Sequence, residues 1–525
     1  MNVPSTTSLQ DIYPEDAIPA QEKRWANLFD KFKTEYGRPA DFVSRSPGRV
    51  NLIGEHIDYM LYQVFPMAVT ADVIIAVGIH ATPAGSLPQI RVANIEGVKF
   101  PRRDFKIPLD GIVEVDHASP DWSNYFKAGL SGVLPYLRES DDQFVPVSMD
   151  VLVHGNVPTG SGLSSSTAFV CASALAVMAA NGVSNIDKKE LCERTIASER
   201  AVGTIGGGMD QVASIFSLSG SATYVSFVPE LTAEPVEFPV TEPGFSCLVA
   251  HSYVDSFKAV TAPVCYNLRV VECTMATDYL SKSLGLKKAL PSDASPLGRS
   301  LRGLQNTYFE EKDGRDDNFQ ISPETFEKQL EKLVVLVEQH LPQEEGYTRQ
   351  EIAKHLDITV DELTAKYMSR HTVRADRFKL RQRALHVFSE ALRVLKFRSL
   401  MSSTASTPAD GQLLLQSLGN LLNEAQASCK NTYECSCEEL DELCSLALEA
   451  GAYGSRLTGA GWGGCSVHLV PSDKVEDVKK AWIEKYYKKR WPDKWEGMLE
   501  EGIVVSKPGS GSYLYKVEDV MFQST

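Results

Sequence analysis

Residues 154–166 combine two closely spaced glycines with a run of three serines. Gly160 and Gly162 carry no Cβ, so the backbone there can adopt unusual φ angles and approach a ligand closely. The apolar stretch after Ser164–Ser166 predicts a helix, and the first-turn N–H groups of a helix favour an anion. The segment lacks the G-x-x-x-x-G-K-[ST] pattern, so a P-loop NTPase is not indicated. It predicts a phosphate-binding turn; the alternative is a serine-rich N-cap without a ligand.

A second stretch, Ser44–Tyr59, is dense in polar residues among short apolar pairs. Glu55 and His56 follow Gly54 directly after an apolar pair, which favours a turn that presents them to a pocket. Carboxylates, an imidazole and a guanidinium together suit the recognition of sugar hydroxyls, which both donate and accept hydrogen bonds. A surface strand with alternating polar residues is the alternative. The polar residues in question are Arg49, Asn51, Glu55, His56 and Asp58.

Two further glycine clusters lie downstream. Gly206–Gly208 cannot sit comfortably inside a helix, so we expect the chain to turn there and to present Asp210, either as a helix N-cap or as a catalytic carboxylate. Gly454–Gly464 has four glycines within six residues and indicates a backbone that another group approaches closely. A flexible linker is the alternative, but Trp462 and the flanking helix and strand patterns favour an ordered segment.

Composition and charge limit the kinds of protein that this chain can be. The chain has 525 residues, 43% hydrophobic and 23% charged, which predicts a globular protein of two domains. A formal charge of −15 disfavours nucleic acid or an anionic membrane as a partner. The N-terminus lacks the basic and apolar regions of a secretory signal, and the cysteines at 429, 435, 437 and 444 lack paired C-x-x-C spacing. We therefore expect a cytoplasmic protein with free thiols rather than a metal site.

The elements that must position these residues alternate between strands and helices. Period-two alternation predicts a strand over 147–154, and an apolar run predicts the helix over 167–180. Trp122 and Tyr125 open another helix, where they either pack in the core or stack on a nucleobase. A Pro/Gly/Asp-punctuated connection is predicted over 283–320. The remaining predictions are helices at 22–36, 378–397, 411–428 and 438–450, helix starts at Ser322 and Thr359, and β-rich stretches at 64–80 and 90–115.

These stretches, in this order, resemble the GHMP small-molecule kinases. Ser46–Tyr59 is similar to the galactokinase signature, Pro158–Ser166 to the family's phosphate loop, and Gly454–Gly464 to its C-terminal glycine motif. Gly207–Gln211 also fits the pattern. The resemblance is strongest to fungal galactokinases, and it includes Tyr266–Val270 and Tyr433–Cys437.

The resemblance implies a two-domain architecture, α/β plus α+β, with the active site between the N-terminal and C-terminal domains. It divides the chain into an N-terminal extension and helix at 1–40 and a nucleotide- and sugar-binding domain at 41–245. A C-terminal GHMP-type domain follows at 246–525, with a helical insertion at about 283–400.

The implied reaction is ATP-dependent phosphorylation of the C1 hydroxyl of α-D-galactose, giving galactose 1-phosphate in the first committed step of galactose catabolism. Asp210 would accept the hydroxyl proton or stabilise the developing alkoxide. Arg49 would keep Asp210 ionised and offset transition-state charge. The sugar contacts implied are Arg49, Glu55, His56, Asp58, Gly207, Asp210 and Tyr266.

The resemblance also implies an ATP and Mg²⁺ site. Ser166 and Glu199 would hold Mg²⁺, which prefers hard oxygen ligands. Thr167 stands where many family members have Ala, so it adds a hydroxyl and a β-branch to the first helical turn. The ATP contacts implied are Trp122 and Tyr125 near adenine, and Gly160, Ser161, Gly162, Leu163, Ser164, Ser165 and Ser166 around the phosphates.

Two alternatives stay open at this point. An N-acetylgalactosamine kinase shares these motifs, although Tyr266 favours galactose. A galactose- and ATP-binding transcriptional sensor, with or without kinase activity, is the other alternative; the complete phosphate loop, Arg49 and Asp210 favour catalysis. We expect a monomer that binds galactose and ATP but neither nucleic acid nor a membrane, and a transcriptional repressor as partner is left open.

Overall fold

The computed structural model describes residues 1–111, 113–115, 121–141, 143–201, 206–254, 261–315, 317–369 and 372–517, without the side chains of 200, 201 and 500. The strands are β1 (Ser5–Thr6), β2 (Phe42–Ile53), β3 (Phe65–His80), β4 (Gln89–Asn94), β5 (Arg103–Lys106), β6 (Ser148–Gly155), β7 (Ser221–Ser226), β8 (Thr232–Glu237), β9 (Phe245–His251), β10 (Gly454–Thr458), β11 (Cys465–Pro471), β12 (Ile503–Ser506) and β13 (Tyr513–Lys516).

The helices are α1 (Ile18–Tyr36), α2 (Asn124–Ser140), α3 (Ser165–Ala180), α4 (Lys188–Ala201), α5 (Met209–Phe216), α6 (Tyr266–Ser283), α7 (Leu301–Asp313), α8 (Pro323–His340), α9 (Arg349–Leu356), α10 (Val360–Met368), α11 (Leu380–Met401), α12 (Pro408–Ser428), α13 (Glu438–Glu449), α14 (Val475–Trp482), α15 (Lys488–Arg490) and α16 (Trp495–Gly502). Among the described residues, no helix has both the length and the apolar composition needed to cross a membrane.

A seven-stranded sheet in the order β1-β13-β2-β3-β6-β4-β5 carries the first two motifs. Its central strands β2 and β3 are antiparallel, and their register shifts between Pro47 and Arg49. Such an irregularity bends a strand and redirects a side chain. Helix α3 is apolar on all sides and buried, as expected of a helix enclosed by other elements; it packs against α2, α4, β2 and β3. The strand and helix predicted around residues 147–180 are therefore confirmed.

A second, four-stranded antiparallel sheet has the order β10-β11-β9-β12. Helices α12 and α13 pack on β10. Gly419 of α12 allows this close packing, because a Cβ there would lie 2.3 Å from the carbonyl oxygen of Tyr453. The third glycine motif (Gly454–Gly464) thus begins on the edge strand β10, which α12 covers.

The chain between β9 and β10 is more helical than the sequence motifs predicted. Helix α7 (Leu301–Asp313) lies within the stretch predicted as a connection, so that prediction was wrong there. Its N-cap is Ser300, whose hydroxyl accepts from the Gly303 N–H at 3.0 Å. The cap was missed because Pro291, Pro296 and Gly298 interrupt the residues just before it. The predicted capping box at Thr359 and Glu362 is confirmed, as is the Ser322 cap. The predicted domain boundaries stay a prediction.

A buried charge cluster joins the first sheet to the ends of the chain. Asp72 of β3 accepts from Arg45 at 2.5 Å, Arg24 at 2.5 Å and the Tyr13 hydroxyl at 2.7 Å. Arg45 also donates to the carbonyl oxygens of Ser510 and Gly511. Burial opposes the charge of Asp72, but the two arginines outweigh it and lower the pKa of this carboxyl. Because that pKa is lowered, the stabilisation is present at neutral pH and is lost on acidification.

Replacing Asp72 with Asn is expected to reduce the free energy of unfolding by about 3–5 kcal/mol, because it leaves buried arginine charge without a counter-ion. Urea unfolding followed by Trp fluorescence measures this change, since the Trp25 indole N–H donates to Tyr13 at 3.1 Å. Asp104→Asn is the matched control: its ion pair with Arg102 is exposed and should contribute less than about 1 kcal/mol. Equal effects of the two variants would contradict this role of Asp72.

Candidate active site

A cleft collects residues from three of the four glycine-containing motifs; the loop at 154–166 does not line it. The signature contributes its polar turn, the central glycine run contributes the start of α5, and the third motif contributes two backbone positions. The lining residues are Arg49, Glu55, His56, Asp58, Glu199, Gly206, Gly207, Gly208, Met209, Asp210, Gln211, Tyr266, Gly459 and Ala460. The aromatic residues Trp122 and Tyr125 are not among them.

Arg49 and Asp210, which both line the cleft, form an ion pair. Arg49 is 4% exposed, and its Nε and Nη2 lie 2.7 and 2.6 Å from Asp210 Oδ1. The Arg49 Nη1 donates to the carbonyl oxygen of Gly162 at 2.6 Å, and the Ser164 hydroxyl donates to Asp210 Oδ2. The N-cap of α5 is Gly208, so the N-cap interpretation of Asp210 was wrong. The pair is thus tied directly to the phosphate loop.

Asp58 lines the cleft close to Asp210. The backbone N–H of Met209 approaches its Oδ2 at 3.4 Å. Burial and the nearby charge of Asp210 raise the pKa of Asp58 to about 6. A Cβ on Gly207 would lie 2.4 Å from Asp58 Cγ and from the Tyr59 nitrogen. Glycine at 207 is therefore required by the close packing of the Asp58 turn.

Glu55 is buried, and protein groups bind both of its oxygens. Arg456 Nη1 lies 2.7 Å from Oε2, which also accepts from the Asn51 amide. The backbone N–H of Gly459 donates to Oε1 at 2.6 Å. Glu55 thus connects the signature to the third glycine motif. Its role as a sugar ligand stays a prediction.

His56 is likewise bonded on both ring nitrogens. Its Nε2 lies 2.9 Å from the carbonyl oxygen of Ala460, and its Nδ1 lies 3.0 Å from the Tyr59 hydroxyl. Burial lowers the pKa of His56 to about 3, so the ring is neutral. A carbonyl only accepts, so Nε2 carries the proton and Nδ1 accepts from Tyr59. Tyr266, the first residue of α6, packs with its ring 5.3 Å from the imidazole.

The phosphate loop has left-handed backbone at alternate positions: φ is 74° at Gly160, 77° at Gly162 and 60° at Ser164. Strand β2 reaches this loop, where the Arg49 N–H donates to the carbonyl oxygen of Leu163 at 3.0 Å. The third motif packs on its other side. A Cβ on Gly459 would lie 2.5 Å from the carbonyl oxygen of Gly162. The phosphate loop is therefore one of the groups that approach the Gly454–Gly464 motif closely; the carbonyl oxygens of Cys435 and Val254 are others.

Glu199 of α4 faces the first turn of α3. Its carboxylate accepts from the Thr167 hydroxyl at 3.0 and 2.8 Å and from Ser166 at 3.3 Å, and the Gln211 amide donates to it as well. Hydroxyl and carboxylate oxygens are the donors that Mg²⁺ prefers. Sequence analysis missed Thr167 and Gln211 as partners of Glu199. Their only sequence signal was their position next to Ser166 and Asp210.

Trp122 and Tyr125 lie on one side of α3, next to Phe169. The Trp122 and Phe169 rings are nearly parallel, with centroids 6.1 Å apart, and the Tyr125 ring lies 6.2 Å from Phe169. The Trp122 indole donates to the carbonyl oxygen of Pro101 at 2.9 Å. These contacts favour the packing interpretation of the pair. Sequence analysis missed Phe169 within the uniformly apolar helix.

The comparisons with known proteins agree with this geometry. Family models match residues 30–79 (galactokinase galactose-binding signature), 124–217 (GHMP kinases N terminal domain) and 412–489 (GHMP kinases C terminal). The galactokinase of Saccharomyces cerevisiae is 43% identical over 94% of both chains. That of Candida parapsilosis is 39% identical over 99% of both.

A solved structure of Lactococcus lactis galactokinase complexed with galactose has a TM-score of 0.61 at 21% identity, and it covers 93% of this chain and 99% of its own. This likeness supports the fold alone. The predicted two-domain GHMP architecture is confirmed, and the identities over nearly the full length of the fungal relatives decide the family. The chain belongs to the galactokinase family of GHMP kinases.

Proposed function

We propose that this protein transfers the γ-phosphoryl group of ATP to the C1 hydroxyl of α-D-galactose. The observation that carries the proposal is the Arg49–Asp210 pair, which lies in a cleft and is hydrogen-bonded to the phosphate loop through Gly162 and Ser164. A reacting hydroxyl beside Asp210 would then face a phosphoryl group on that loop. The names of the relatives support galactose as the acceptor.

In the proposed reaction, the C1 oxygen forms a bond to the γ-phosphorus while the bond to the bridging oxygen of ADP breaks. Asp210 takes up the hydroxyl proton as the new bond forms. Arg49 keeps this carboxylate oriented and offsets the negative charge of the transition state. Phosphoryl transfer depends mainly on positioning and charge stabilisation, and the short contacts of Arg49 supply both.

Ser166 and Glu199 fit a Mg²⁺ ion by the chemistry of their oxygens, and the Thr167 hydroxyl would help to orient the Glu199 carboxylate. The ion, when bound, would neutralise phosphate charge. The first-turn N–H groups of α3 would bind phosphate oxygens. Trp122 and Tyr125 remain our proposed adenine neighbours, although their contacts with Phe169 would keep them in place without a ligand.

We further propose a cytoplasmic, monomeric enzyme. The described cysteines are free thiols, and most of them are buried, which suits a reducing compartment. Gel filtration of the purified chain tests the monomer, and a larger particle would contradict it. Whether a repressor protein also binds this chain stays a separate hypothesis.

Asp210→Ala is expected to lower kcat for galactose-dependent ADP release by roughly 10²- to 10⁴-fold, because it removes the group that accepts the proton. Wild-type protein is assayed with Mg-ATP and galactose, N-acetylgalactosamine, glucose or no sugar. Turnover mainly with N-acetylgalactosamine would replace the proposed acceptor. Galactose-dependent thermal stabilisation without any turnover would favour a sensor. An Asp210→Ala variant as active as wild type would overturn the mechanism.

Gly207→Ala is expected to raise the KM for galactose by roughly 10- to 100-fold, because the added Cβ must displace the Asp58 carboxylate. Steady-state kinetics at saturating ATP measure the change. Gly206→Ala is the matched control, since nothing lies within 4 Å of a Cβ built there. If both variants changed KM alike, the packing of Asp58 would not be the cause.

Thr167→Val is expected to raise the Mg²⁺ concentration for half-maximal activity by about tenfold, because it keeps the β-branch but removes the hydroxyl that orients Glu199. Thr167→Ser restores that hydroxyl and should retain wild-type Mg²⁺ dependence. Activity is titrated against Mg²⁺ at fixed ATP for all three proteins. Identical curves for Val and Ser would show that the hydroxyl plays no part.

A further inference from the structure

Helix α11 of the helical region packs against β2, the strand that leads into the signature turn. Its residues His386, Glu390 and Val394 are spaced four apart, so they lie on one face of the helix. That face meets the first residues after β2, where the chain leaves the sheet. His386 and Glu390 are fully buried there, and neither of them lines the cleft.

Glu390 and His386 bind backbone groups of two consecutive residues in the turn. The Gly54 N–H donates to Glu390 Oε1 at 2.9 Å, and His386 Nε2 lies 3.0 Å from the carbonyl oxygen of Glu55. The backbone is left-handed on either side of Glu55, with φ of 107° at Gly54 and 61° at His56. Both bonded residues of the turn are buried, where a backbone group without a partner is costly. The side chains of α11 therefore stabilise this one backbone conformation.

The His386 ring has a single protonation state and a fixed orientation. A carbonyl oxygen only accepts, so Nε2 carries the proton, and Nδ1 accepts from the Ser428 hydroxyl at 2.9 Å. Burial lowers the pKa of His386 to about 4, so the ring is neutral at neutral pH. The ring also packs on Tyr433, with centroids 4.2 Å apart. Ser428 and Tyr433 thus direct the His386 N–H at the Glu55 carbonyl group.

These bonds act at the start of the turn that carries the predicted sugar contacts. Asp58, which lines the cleft, follows Glu55 by three residues. Glu390 is the less suitable residue to replace, because its carboxylate also pairs with Arg393 at 2.7 Å. His386 is neutral, so its replacement removes the backbone contact without leaving a buried charge unpaired.

We propose that His386 is a positioning residue for the sugar, which acts through the carbonyl group of Glu55 and holds the turn from Glu55 to Asp58 in the geometry that binds galactose. This role rests on the proposed function, since it assigns the turn to the acceptor sugar. The phosphate loop is held instead by Arg49 and by the third glycine motif. Loss of the His386 bond should therefore affect the sugar and not ATP.

Steady-state kinetics with each substrate varied in turn test this role. His386→Phe keeps a ring against Tyr433 but removes the donor, so the KM for galactose should rise by about tenfold while the KM for ATP stays within about twofold. Partial unfolding would lower kcat per mole of protein and leave both KM values unchanged. His386→Gln restores an N–H donor and should bring the KM for galactose back to within about threefold of wild type.

His355→Phe is the matched control. The His355 Nε2 lies 3.2 Å from the carbonyl oxygen of Tyr279, and its ring is stacked on that tyrosine at 3.6 Å. The control therefore loses the same kind of bond in the same helical region, but the bond goes to α6 rather than to the signature turn. Both KM values should stay at the wild-type level. A wild-type KM for galactose in His386→Phe, or an equal rise in the control, would overturn the proposal.

A milder variant decides the case in which His386→Phe does not fold. Ser428 is half-buried, and Ser428→Ala removes only the hydroxyl that orients the imidazole, so the KM for galactose should rise by about threefold. If His386→Phe fails to fold, an unchanged KM in Ser428→Ala would overturn the positioning role. Wild-type protein that does not phosphorylate galactose would instead overturn the proposed function, and this role with it.

Discussion

The geometry of the cleft depends on one buried ion cluster centred on Arg456. This residue of β10 is fully buried. Its Nη1 lies 2.7 Å from Glu55 Oε2 and donates to the carbonyl oxygen of Leu52 at 3.0 Å. Glu390 of α11 lies on its other side at 3.9 Å; burial opposes the Glu390 charge, but Arg393 and Arg456 outweigh it and lower the pKa of Glu390 to about 2. Buried charges tolerate no loss of a partner, so three distant segments are fixed relative to one another.

The hydrogen bonds of several signature residues depend on this cluster. The Glu55 carboxylate pairs with Arg456 and accepts from the N–H of Gly459. His56 donates to the carbonyl oxygen of the next residue, Ala460. Beyond His56, the hydrogen bonds continue through the hydroxyls of Tyr59 and Tyr433. Several polar residues of the signature therefore bind the Gly454–Gly464 motif. That motif in turn packs on the phosphate loop. Arg49 and Asp210 can be placed accurately because the surrounding backbone is held from both sides.

The difference between local features and contacts between distant residues explains what the sequence could predict. Local period and glycine chemistry sufficed for β6, the glycine-containing turn after it and α3, because those features depend on neighbouring residues. The pairing of Arg49 with Asp210, 161 positions apart, came only from the resemblance. The protein partners of Glu55 and His56 were not foreseen: a dense run of polar residues indicates that they are buried together, not whether a ligand or the protein itself satisfies them. Helix α7 and Phe169 were missed because their surroundings masked the local signal.

The helical region also contacts the chain that follows the turn carrying Asp58. The Tyr62 hydroxyl donates to Gln305 of α7 at 2.8 Å. Leu61, which has φ of 63° and ends the turn that carries Asp58, lines a cavity of about 270 Å³ beside α7. One short turn of chain therefore has Asp58 in the cleft and Leu61 in the cavity. Helix α7 therefore helps to hold, through Tyr62, the end of the turn that presents Asp58 to the cleft.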